Sequence, residues 1–509
     1  MSLLGLDVGT TGCKAVAFNL EGQLLAQAYR EYPLLHPQPG WAELDIHLLW
    51  QSITEVIKSV NDQIKTDPVQ ALSVSCQGEA VTAVDSGGNP LCNFIVTFDH
   101  RTVEQADWWQ GSCGPEKIFS LTGMPLHAMY SINKIMWLKA HQPDLYAQAV
   151  KFLCVEDYIN YRLTGNAVSD WSLAARTMAF DVSKKCWSTE ILKAADVSEE
   201  LLPETKASGN AIGQIDAKLS DELGFGRDVL VATGGHDQPC GALGAGVIEP
   251  GVAMNATGTS DVACPVLAEV NLSKEMLAGN YCCYPHVAND CYVSIAFNLT
   301  GGLLLRWYRD TFFQQETADA VKNNRDIYES IIESASDKIK CLFFLPHFVG
   351  AGTPYLDSDS RGALVGLTID TSREELSKAV LDSTNYEMLL NIETMDHAGL
   401  KVHELRAIGG GAKSRRWLQM KADVFGLPVA SMAVSEAAAL GAAMLAGLSI
   451  GVFSDAQESV SAMVRIIDYY QPREEEHRLY KETYQHYKQL YSVLKDFNHT
   501  MTQADRKRS

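Results

Sequence analysis

Residues 3–18 read LLGLDVGTTGCKAVAF and predict a strand, a tight turn and a second strand. The turn is Gly9-Thr10-Thr11-Gly12. Glycine lets a backbone approach an anion closely, and the turn adds amide N–H groups and two hydroxyls. Asp7, just before it, is the kind of carboxylate that Mg²⁺ binds together with water molecules. The stretch predicts a phosphate cradle beside a metal ligand, although an ordinary hairpin turn would show the same pattern.

Two other glycine-rich nucleotide motifs do not fit this stretch. A P-loop needs Gly-Lys followed by Ser or Thr at the start of a helix, whereas Gly12 is followed by Cys13-Lys14 in a predicted strand. A dinucleotide fingerprint needs the spacing GxGxxG, which Gly5, Gly9 and Gly12 do not have.

The same pattern recurs half a chain later. Residues 255–260 read NATGTS and lead into a second apolar run at 262–266. Two such units predict two related α/β domains with a cleft between them. The turn-rich stretch at 248–251 places the boundary so that the domains are residues 1–247 and 248–509. The last fifty residues predict one or two amphipathic helices, and the sequence leaves open which domain they pack on.

Gly234-Gly235-His236-Asp237-Gln238 follows a predicted buried strand at 229–233. A carboxylate at the end of such a strand is well placed in a cleft to accept a proton from an attacking hydroxyl. The alternative is a structural aspartate that caps the next helix. His236 and Asp237 alone give little support to a metal site, because no further ligands stand nearby.

A third glycine loop, Gly409-Gly410-Gly411 followed by Lys413 and Ser414, lies between a predicted strand and a helix. Such a loop allows a flat ring to approach the backbone and offers amide donors. Contact with adenosine and a plain helix-entry turn are equally compatible with it.

The composition and net charge limit the cellular compartments and binding partners that we expect for this protein. The chain has 509 residues, 46% of them hydrophobic and 20% charged, which is typical of a multidomain globular protein. A net charge of −20 argues against nucleic acid or an anionic membrane as a partner. The start MSLLGLDVG lacks the pattern of a signal peptide, and the 12 cysteines form no paired CxxC motif. We therefore expect a cytoplasmic protein.

These motifs resemble the FGGY family of carbohydrate kinases over essentially the whole chain. Residues 129–138, MYSINKIMWL, resemble the first family signature. Residues 362–367, GALVGL, with Glu375-Leu376 and residues 379–382 further on, resemble the second. The resemblance implies two ribonuclease H-like domains, as in actin, hexokinase and the heat-shock ATPases, that flank a catalytic cleft. It also implies ATP- and Mg²⁺-dependent phosphorylation of a small sugar or polyol.

The resemblance also implies roles for individual residues. Asp7 resembles the metal-associated aspartate, and Asp237 resembles the catalytic base. The phosphate and nucleotide contacts are assigned to glycine-loop residues, namely Gly9, Thr10, Thr11, Gly258, Thr259, Gly302, Gly410, Gly411 and Ser414. The sugar pocket is assigned to Gln77, Gly78, Glu79, Asp237 and Gln238.

The substrate is less sharply indicated. Where this chain has Gly78-Glu79, xylulose kinases usually have Met-His and glycerol kinases have Arg-Glu. Thr97 replaces a tryptophan that is frequent in the family. The layout, including residues 40–43 and 169–172, is nearest to the xylulose kinases and makes D-xylulose the leading substrate. The alternatives are L-xylulose, erythritol, gluconate or glycerol, or a nucleotide-driven binding module like actin. Homodimers are common in the family, but no residue here indicates one.

Overall fold

The computed structural model describes residues 1–226, 228–506 and 508. We call the elements up to residue 244 the first half and those from residue 252 the second half. The strands of the first half are β1 (Ser2–Val8), β2 (Gly12–Phe18), β3 (Leu24–Glu31), β4 (Glu43–Leu44), β5 (Val69–Cys76), β6 (Val81–Val84), β7 (Phe94–Ile95), β8 (Lys151–Cys154), β9 (Val168–Asp170), β10 (Phe180–Asp181), β11 (Cys186–Trp187), β12 (Glu204–Lys206), β13 (Ala211–Gln214) and β14 (Leu230–His236).

The helices of the first half are α1 (Ile46–Gln63), α2 (Val103–Ser112), α3 (Pro115–Thr122), α4 (Ser131–His141), α5 (Pro143–Gln148), α6 (Val155–Thr164), α7 (Trp171–Ala175), α8 (Thr189–Ala195), α9 (Ala217–Glu222) and α10 (Asp237–Gly244). The sequence pattern explains their starts. Asp45 caps α1, because its carboxylate accepts the backbone N–H groups of His47 and Leu48. The apolar stripe of α1 packs into the core beneath the first sheet.

The main sheet of the first half has the strand order β13-β14-β5-β1-β2-β3. Strands β14, β5 and β1 are parallel, and β2 runs antiparallel to β1. In this register Asp7 lies opposite Ser75, and His236 lies opposite Cys76. Because parallel strands end at the same edge of a sheet, the first glycine turn, residues 77–79 and Asp237 meet there.

The strands of the second half are β15 (Val252–Thr257), β16 (Asp261–Leu267), β17 (Tyr284–Pro285), β18 (Tyr292–Val293), β19 (Ala296–Asn298), β20 (Phe343–Leu345), β21 (Ala363–Val365), β22 (Glu404–Gly409), β23 (Val429–Met432) and β24 (Ile466–Tyr470). Its helices are α11 (Lys274–Ala278), α12 (Gly302–Phe312), α13 (Gln314–Lys322), α14 (Ile327–Ser334), α15 (Arg373–His397), α16 (Arg415–Phe425), α17 (Ala437–Ser449), α18 (Ala456–Met463), α19 (Glu474–Tyr487) and α20 (Leu490–Arg506).

The second sheet repeats the first. The run β19-β16-β15-β22-β23 has the strand order and directions of β3-β2-β1-β5-β14. Each first strand ends in a Gly-Thr turn and pairs antiparallel with the strand that follows it. The prediction of two related α/β domains is therefore confirmed.

The halves pack directly on each other through α17. This helix of the second half lies against β1, β5 and α10 of the first half. Glycine makes the close approach possible: a Cβ at Gly5 would lie 1.8 Å from the Ala439 carbonyl oxygen, and one at Gly441 would lie 2.0 Å from that of Cys240. The interface around α17 is otherwise apolar, with Leu3, Leu243 and Leu440 buried in it.

The last two helices pack on the second half, which answers the question that the sequence left open. The Tyr480 hydroxyl of α19 donates to Asp382 of α15 at 3.0 Å. Arg361 donates to Asp505 of α20 at 2.7 Å. None of the helices in the described ranges combines the length and apolar composition that crossing a bilayer requires.

Candidate active site

The first glycine turn is fastened to the edge where β1 and β5 end. The Gly9 N–H donates to the Gly12 carbonyl at 3.0 Å, which closes the turn. The Tyr32 hydroxyl donates to the Gly9 carbonyl at 2.7 Å. The Gln77 N–H donates to the Val8 carbonyl at 3.0 Å and brings the predicted sugar-pocket residues beside the turn.

Asp237 is the first residue of α10, and the cap position belongs to His236. Its side chain is 33% exposed, so its carboxyl group faces the open edge of the sheet. Burial raises its pKa to about 7, and the negative charges of Asp7 and Glu79 raise it further in the same direction. A carboxylate with a pKa near neutrality suits a general base.

His236 and Tyr284 connect the two halves beside this carboxylate. The Tyr284 hydroxyl lies 2.9 Å from His236 Nδ1, and His236 Nε2 lies 3.3 Å from Asp237 Oδ1. Burial lowers the pKa of His236 to about 3, and the positive charge of Arg176 lowers it as well. His236 is therefore a neutral partner of Asp237 and not a counter-ion.

Asp7 has the surroundings expected of a cation ligand. Its side chain accepts a 3.4 Å hydrogen bond from Ser75, and burial raises its pKa to about 6. The nearby Lys14 ammonium forms an ion pair with Glu436 of the second half. Within the described ranges, no group of three or more His, Cys, Asp or Glu side chains could enclose a metal ion. The residues fit Mg²⁺, which keeps most of its waters and takes one or two carboxylates.

Gln77 is a buried amide with unused hydrogen-bonding capacity. Its side chain is 6% exposed, yet neither Oε1 nor Nε2 has a partner among the described residues. Gln238 Oε1 is likewise unpartnered in this part of the chain. Buried polar atoms are rarely left unpaired in folded proteins, so these amides are suited to bind a polar ligand.

Glu79, one of the predicted sugar-pocket residues, is paired with a buried arginine that sequence reasoning missed. Its carboxylate forms an ion pair with Arg176, which is also buried. The Thr97 hydroxyl donates to Glu79 Oε2 at 3.0 Å. The signal in the sequence was an arginine inside the otherwise apolar run at 173–180, because a buried charge requires a partner.

The first signature segment, residues 129–138, holds the backbone of Glu79 through hydrogen bonds. The Ser131 hydroxyl donates to the Glu79 carbonyl at 2.9 Å, and the buried Lys134 ammonium donates to the same oxygen at 2.7 Å. Glu79 itself has φ +61°, a left-handed conformation that costs free energy for a residue with a side chain. The segment therefore maintains a strained backbone at the pocket.

A cavity of about 610 Å³ opens at the corresponding edge of the second sheet. Six of the nine residues predicted for nucleotide contact line it, namely Gly258, Thr259, Gly302, Gly410, Gly411 and Ser414. Gly9, Thr10 and Thr11 are not part of the lining that the described residues form. The two predicted cradles thus belong to opposite halves, and the cavity is built by the second half alone.

Backbone hydrogen bonds join two of the loops that line the cavity. The Gly302 N–H donates to the Gly258 carbonyl at 2.8 Å, and the Leu303 N–H donates to that of Thr259 at 3.1 Å. A Cβ at Gly302 would lie 2.5 Å from the Gly258 oxygen, so a side chain is excluded there. Gly258 differs, because a methyl group on it would meet no heavy atom of the described residues within 4 Å.

Lys421 is a second buried charge that sequence reasoning missed. Its ammonium bonds to the Asn255 side chain and, at 2.7 Å, to the Thr257 hydroxyl. Thr257 precedes the Gly258 turn and contacts the third glycine loop at Gly411. Lys421 therefore supports both loops. The Ser414 hydroxyl caps α16 by accepting the Trp417 N–H at 3.2 Å, so its position serves the helix as well as the cavity.

Comparison with known proteins agrees with this geometry. Residues 2–244 match the N-terminal domain of the FGGY family of carbohydrate kinases, and residues 253–450 match its C-terminal domain. A xylulose kinase of Staphylococcus xylosus is 28% identical over 490 residues, which cover 96% of this chain and 99% of that protein. A glycerol kinase of Streptococcus agalactiae is 29% identical over 90% of each chain.

The fold has close counterparts among solved structures. The crystal structure of a gluconate kinase from Lactobacillus acidophilus matches with a TM-score of 0.88 and 26% identity, over 97% of this chain and 98% of that chain. The two family domains follow each other in chain order, and their matches end at residue 450. This chain belongs to the FGGY family of carbohydrate kinases.

Proposed function

We propose that this carbohydrate kinase transfers the γ-phosphoryl group of ATP to a hydroxyl of a pentulose, with D-xylulose as the leading substrate and xylulose 5-phosphate and ADP as products. The observation that carries the proposal is the meeting of Asp237 with Gln77 and Glu79 at one sheet edge. Xylulose kinases among the similar proteins support the choice of sugar.

Asp237 is the proposed general base. It would accept the proton of the substrate hydroxyl while the new O–P bond forms and the bond between the phosphorus and the ADP oxygen breaks. Phosphoryl transfer depends mainly on positioning and charge stabilisation, so the base has only to take the proton as the transfer proceeds. Gln77, Gly78, Glu79 and Gln238 would orient the sugar.

The nucleotide would lie in the cavity of the second half. Gly258, Thr259 and Gly302 would face its phosphates, and Gly410, Gly411 and Ser414 would contact the adenosine. The turn with Gly9, Thr10 and Thr11 would approach the phosphates from the first half. Asp7 would hold Mg²⁺, which when bound supplies positive charge to the phosphate oxygens.

Closure of the cleft follows from this assignment. The two turns belong to different halves, so they act on one phosphate group only if the halves approach each other. Closure would also exclude water, which competes with the sugar as phosphoryl acceptor. We place the two domains at residues 1–247 and 248–509, a division supported by the gap between the two family matches. A cytoplasmic location remains a prediction.

Other substrates of the family are the second candidate. Glycerol and gluconate kinases are about as similar to this chain as the xylulose kinases are. Gly78-Glu79 matches neither the Met-His of xylulose kinases nor the Arg-Glu of glycerol kinases in full. A nucleotide-driven binding module without a sugar substrate is less well supported, because it does not require Asp237 beside unpaired amides.

The test is ADP release from MgATP, coupled to a spectroscopic readout, with D-xylulose, L-xylulose, erythritol, glycerol and gluconate. We expect D-xylulose to stimulate release most strongly, and phosphorus NMR of the product to identify the 5-phosphate. If another compound alone stimulates ADP release, that compound replaces D-xylulose as the proposed substrate. MgATP binding without stimulation by any of them would contradict the kinase proposal for this panel and favour the binding module.

A further inference from the structure

The Glu79 carboxylate uses most of its hydrogen-bonding capacity on Arg176 and Thr97. Arg176 directs both Nε and Nη2 at Glu79 Oε1. The Thr97 hydroxyl occupies one position on Oε2. A carboxylate oxygen accepts about two hydrogen bonds, so Oε1 is saturated, whereas the described residues leave one acceptor position open on Oε2. Together with the amide of Gln77, the pocket offers two acceptors and one amide donor group to a ligand.

The Arg176 guanidinium is enclosed by protein on its other sides. Nη1 lies 3.5 Å from the Met124 sulfur, and Nη2 lies 3.8 Å from the Met129 sulfur. The rings of Tyr130 and Tyr284 stand 5.4 and 5.5 Å from its central carbon. A cation engaged in this way serves Glu79 and is not free to receive an anionic group from a substrate.

Gly78 makes room for this arrangement. A Cβ at Gly78 would lie 3.0 Å from the His236 ring and 3.4 Å from Arg176 Cγ. A side chain here would press on the His236 ring, whereas its contact with Arg176 Cγ would be an ordinary van der Waals distance. The glycine that departs from both known subfamily patterns thus leaves space beside His236 and the aliphatic stem of Arg176.

We infer that Arg176 is a positioning residue that fixes the Glu79 carboxylate as an acceptor for hydroxyl groups, and that the pair selects a neutral polyol or ketose with adjacent hydroxyls over a sugar acid. This inference rests on the proposed kinase function. A substrate carboxylate would meet the carboxylates of Glu79 and Asp237, while the Arg176 guanidinium is already engaged by Glu79 and the Lys134 ammonium by the Glu79 carbonyl. Neutral hydroxyls instead donate to Oε2 and bond to Gln77.

The experiment compares kcat and KM for D-xylulose and for gluconate in the wild type and in Arg176→Met, Arg176→Lys and Glu79→Gln. We expect Arg176→Met to raise the KM for the neutral sugar about 10- to 100-fold, with a smaller loss of kcat and an unchanged KM for ATP. Arg176→Lys should recover part of the affinity. Glu79→Gln should reduce the preference for the neutral sugar over gluconate by about 10-fold or more.

Two controls separate positioning from general damage. Arg478→Met removes an exposed arginine whose ion pair with Glu482 lies on α19, and it should leave all constants unchanged. Thr97→Val removes one hydroxyl from Glu79 and should raise the KM for the neutral sugar several-fold even if Arg176→Met fails to fold. Thermal unfolding and MgATP binding are measured for every variant.

The outcomes are distinct. A wild type that phosphorylates gluconate better than every neutral compound overturns the inference while the kinase proposal stands. Unchanged sugar KM in Arg176→Met and Thr97→Val overturns the positioning role. Absence of sugar-stimulated ADP release for all compounds overturns the proposed function, and this inference with it.

Discussion

At the scale of single residues, the site is a group of carboxylates at one sheet edge. Asp7, Glu79 and Asp237 are close enough for their charges to interact, and Glu79 is ion-paired with Arg176. Asp7 and Asp237 have raised pKa values of about 6 and about 7, mainly because they are buried. Such a pair is suited to phosphoryl transfer, in which one carboxylate can bind a metal ion and the other can accept the proton of the attacking hydroxyl.

The base assignment predicts a large loss of turnover in Asp237→Asn. The amide has nearly the shape of the carboxylate but cannot accept the hydroxyl proton, so we expect kcat to fall about 10²- to 10⁴-fold. MgATP binding, measured by calorimetry, should persist because the nucleotide cavity lies in the other half. Near-normal turnover in the variant would contradict the assignment.

The same pKa values predict the acid side of the pH profile. Asp237 works as a base only when ionised, so kcat/KM should fall as the pH drops through about 7. Steady-state rates between pH 5 and 9 at saturating Mg²⁺ measure this. A flat profile down to pH 5 would be incompatible with Asp237 as the base.

At the scale of elements, β14 depends on buried acids behind it. Glu156 accepts the Gly234 N–H at 2.7 Å, close to Asp170 and Asp157. Burial raises the pKa of all three carboxyls, that of Asp157 to about 7 and that of Asp170 to about 6. The hydrogen bonds that the described residues make to these three carboxyls all come from neutral donors, so the group is least costly while protons remain on it.

Glu156→Gln should therefore stabilise the protein at high pH. Because the pKa of Glu156 is higher in the folded than in the unfolded protein, its protonated form stabilises the fold. This stabilisation is complete below the pKa of the unfolded state, about 4.3, and is lost as the pH rises through the pKa of the folded state. The neutral amide removes that dependence. We expect a gain of about 1–2 kcal/mol at pH 8 and little change at pH 4. Denaturant unfolding at both values tests this, and a loss at pH 8 would contradict it.

The glycine loops make a second prediction at this scale. Gly258→Ala adds a methyl group to open space in the cavity, so the fold should keep its stability. The same methyl would obstruct close approach of phosphate to the backbone, and we expect the KM for ATP to rise about 10-fold. Gly302→Ala, where the added carbon clashes with the Gly258 oxygen, should instead lower the unfolding temperature. Unchanged ATP kinetics in Gly258→Ala would argue against phosphate at this turn.

At the scale of the whole molecule, α17 is the element on which the two halves meet. Its backbone touches that of β1 at Gly5 and that of α10 at Gly441, distances that only glycine permits. Lys14 and Glu436 add an ion pair at the N-terminal end of α17, close to Asp7. One tightly packed helix thus joins the two halves close to the phosphate turns.

Gly441→Ala should disturb this contact. The new methyl group would lie 2.0 Å from the Cys240 oxygen, so the helices must separate, at a cost of about 1–3 kcal/mol. Gly111→Ala is the matched control, since Gly111 also lies in a helix but with no described neighbour within 4 Å, and it should gain up to about 1 kcal/mol. Denaturant unfolding of both variants decides, and equal stabilities would show that the contact is loose.

Much of this protein could be predicted from local sequence. The strands at 3–8 and 13–18, the turn between them, the cap of α1 at Asp45 and the repeat at 255–260 depend on neighbours within a few residues. These signals, with two long signature segments, were sufficient for the family and the paired α/β fold. That Asp7 and Asp237 share a sheet edge became apparent only from the pairing of β1, β5 and β14.

The rest depended on contacts between residues far apart in the chain. Arg176 and Glu79 are 97 positions apart, and Lys421 and Thr257 are 164 apart. Arg176 and Lys421 are buried charges. A sequence shows that a buried charge needs a partner without showing which one the fold brings to it. The sequence by itself determined the family, the two related domains and the residues to examine. The tertiary structure decided which charges are paired, because burial and electrostatic interaction depend on distance in space.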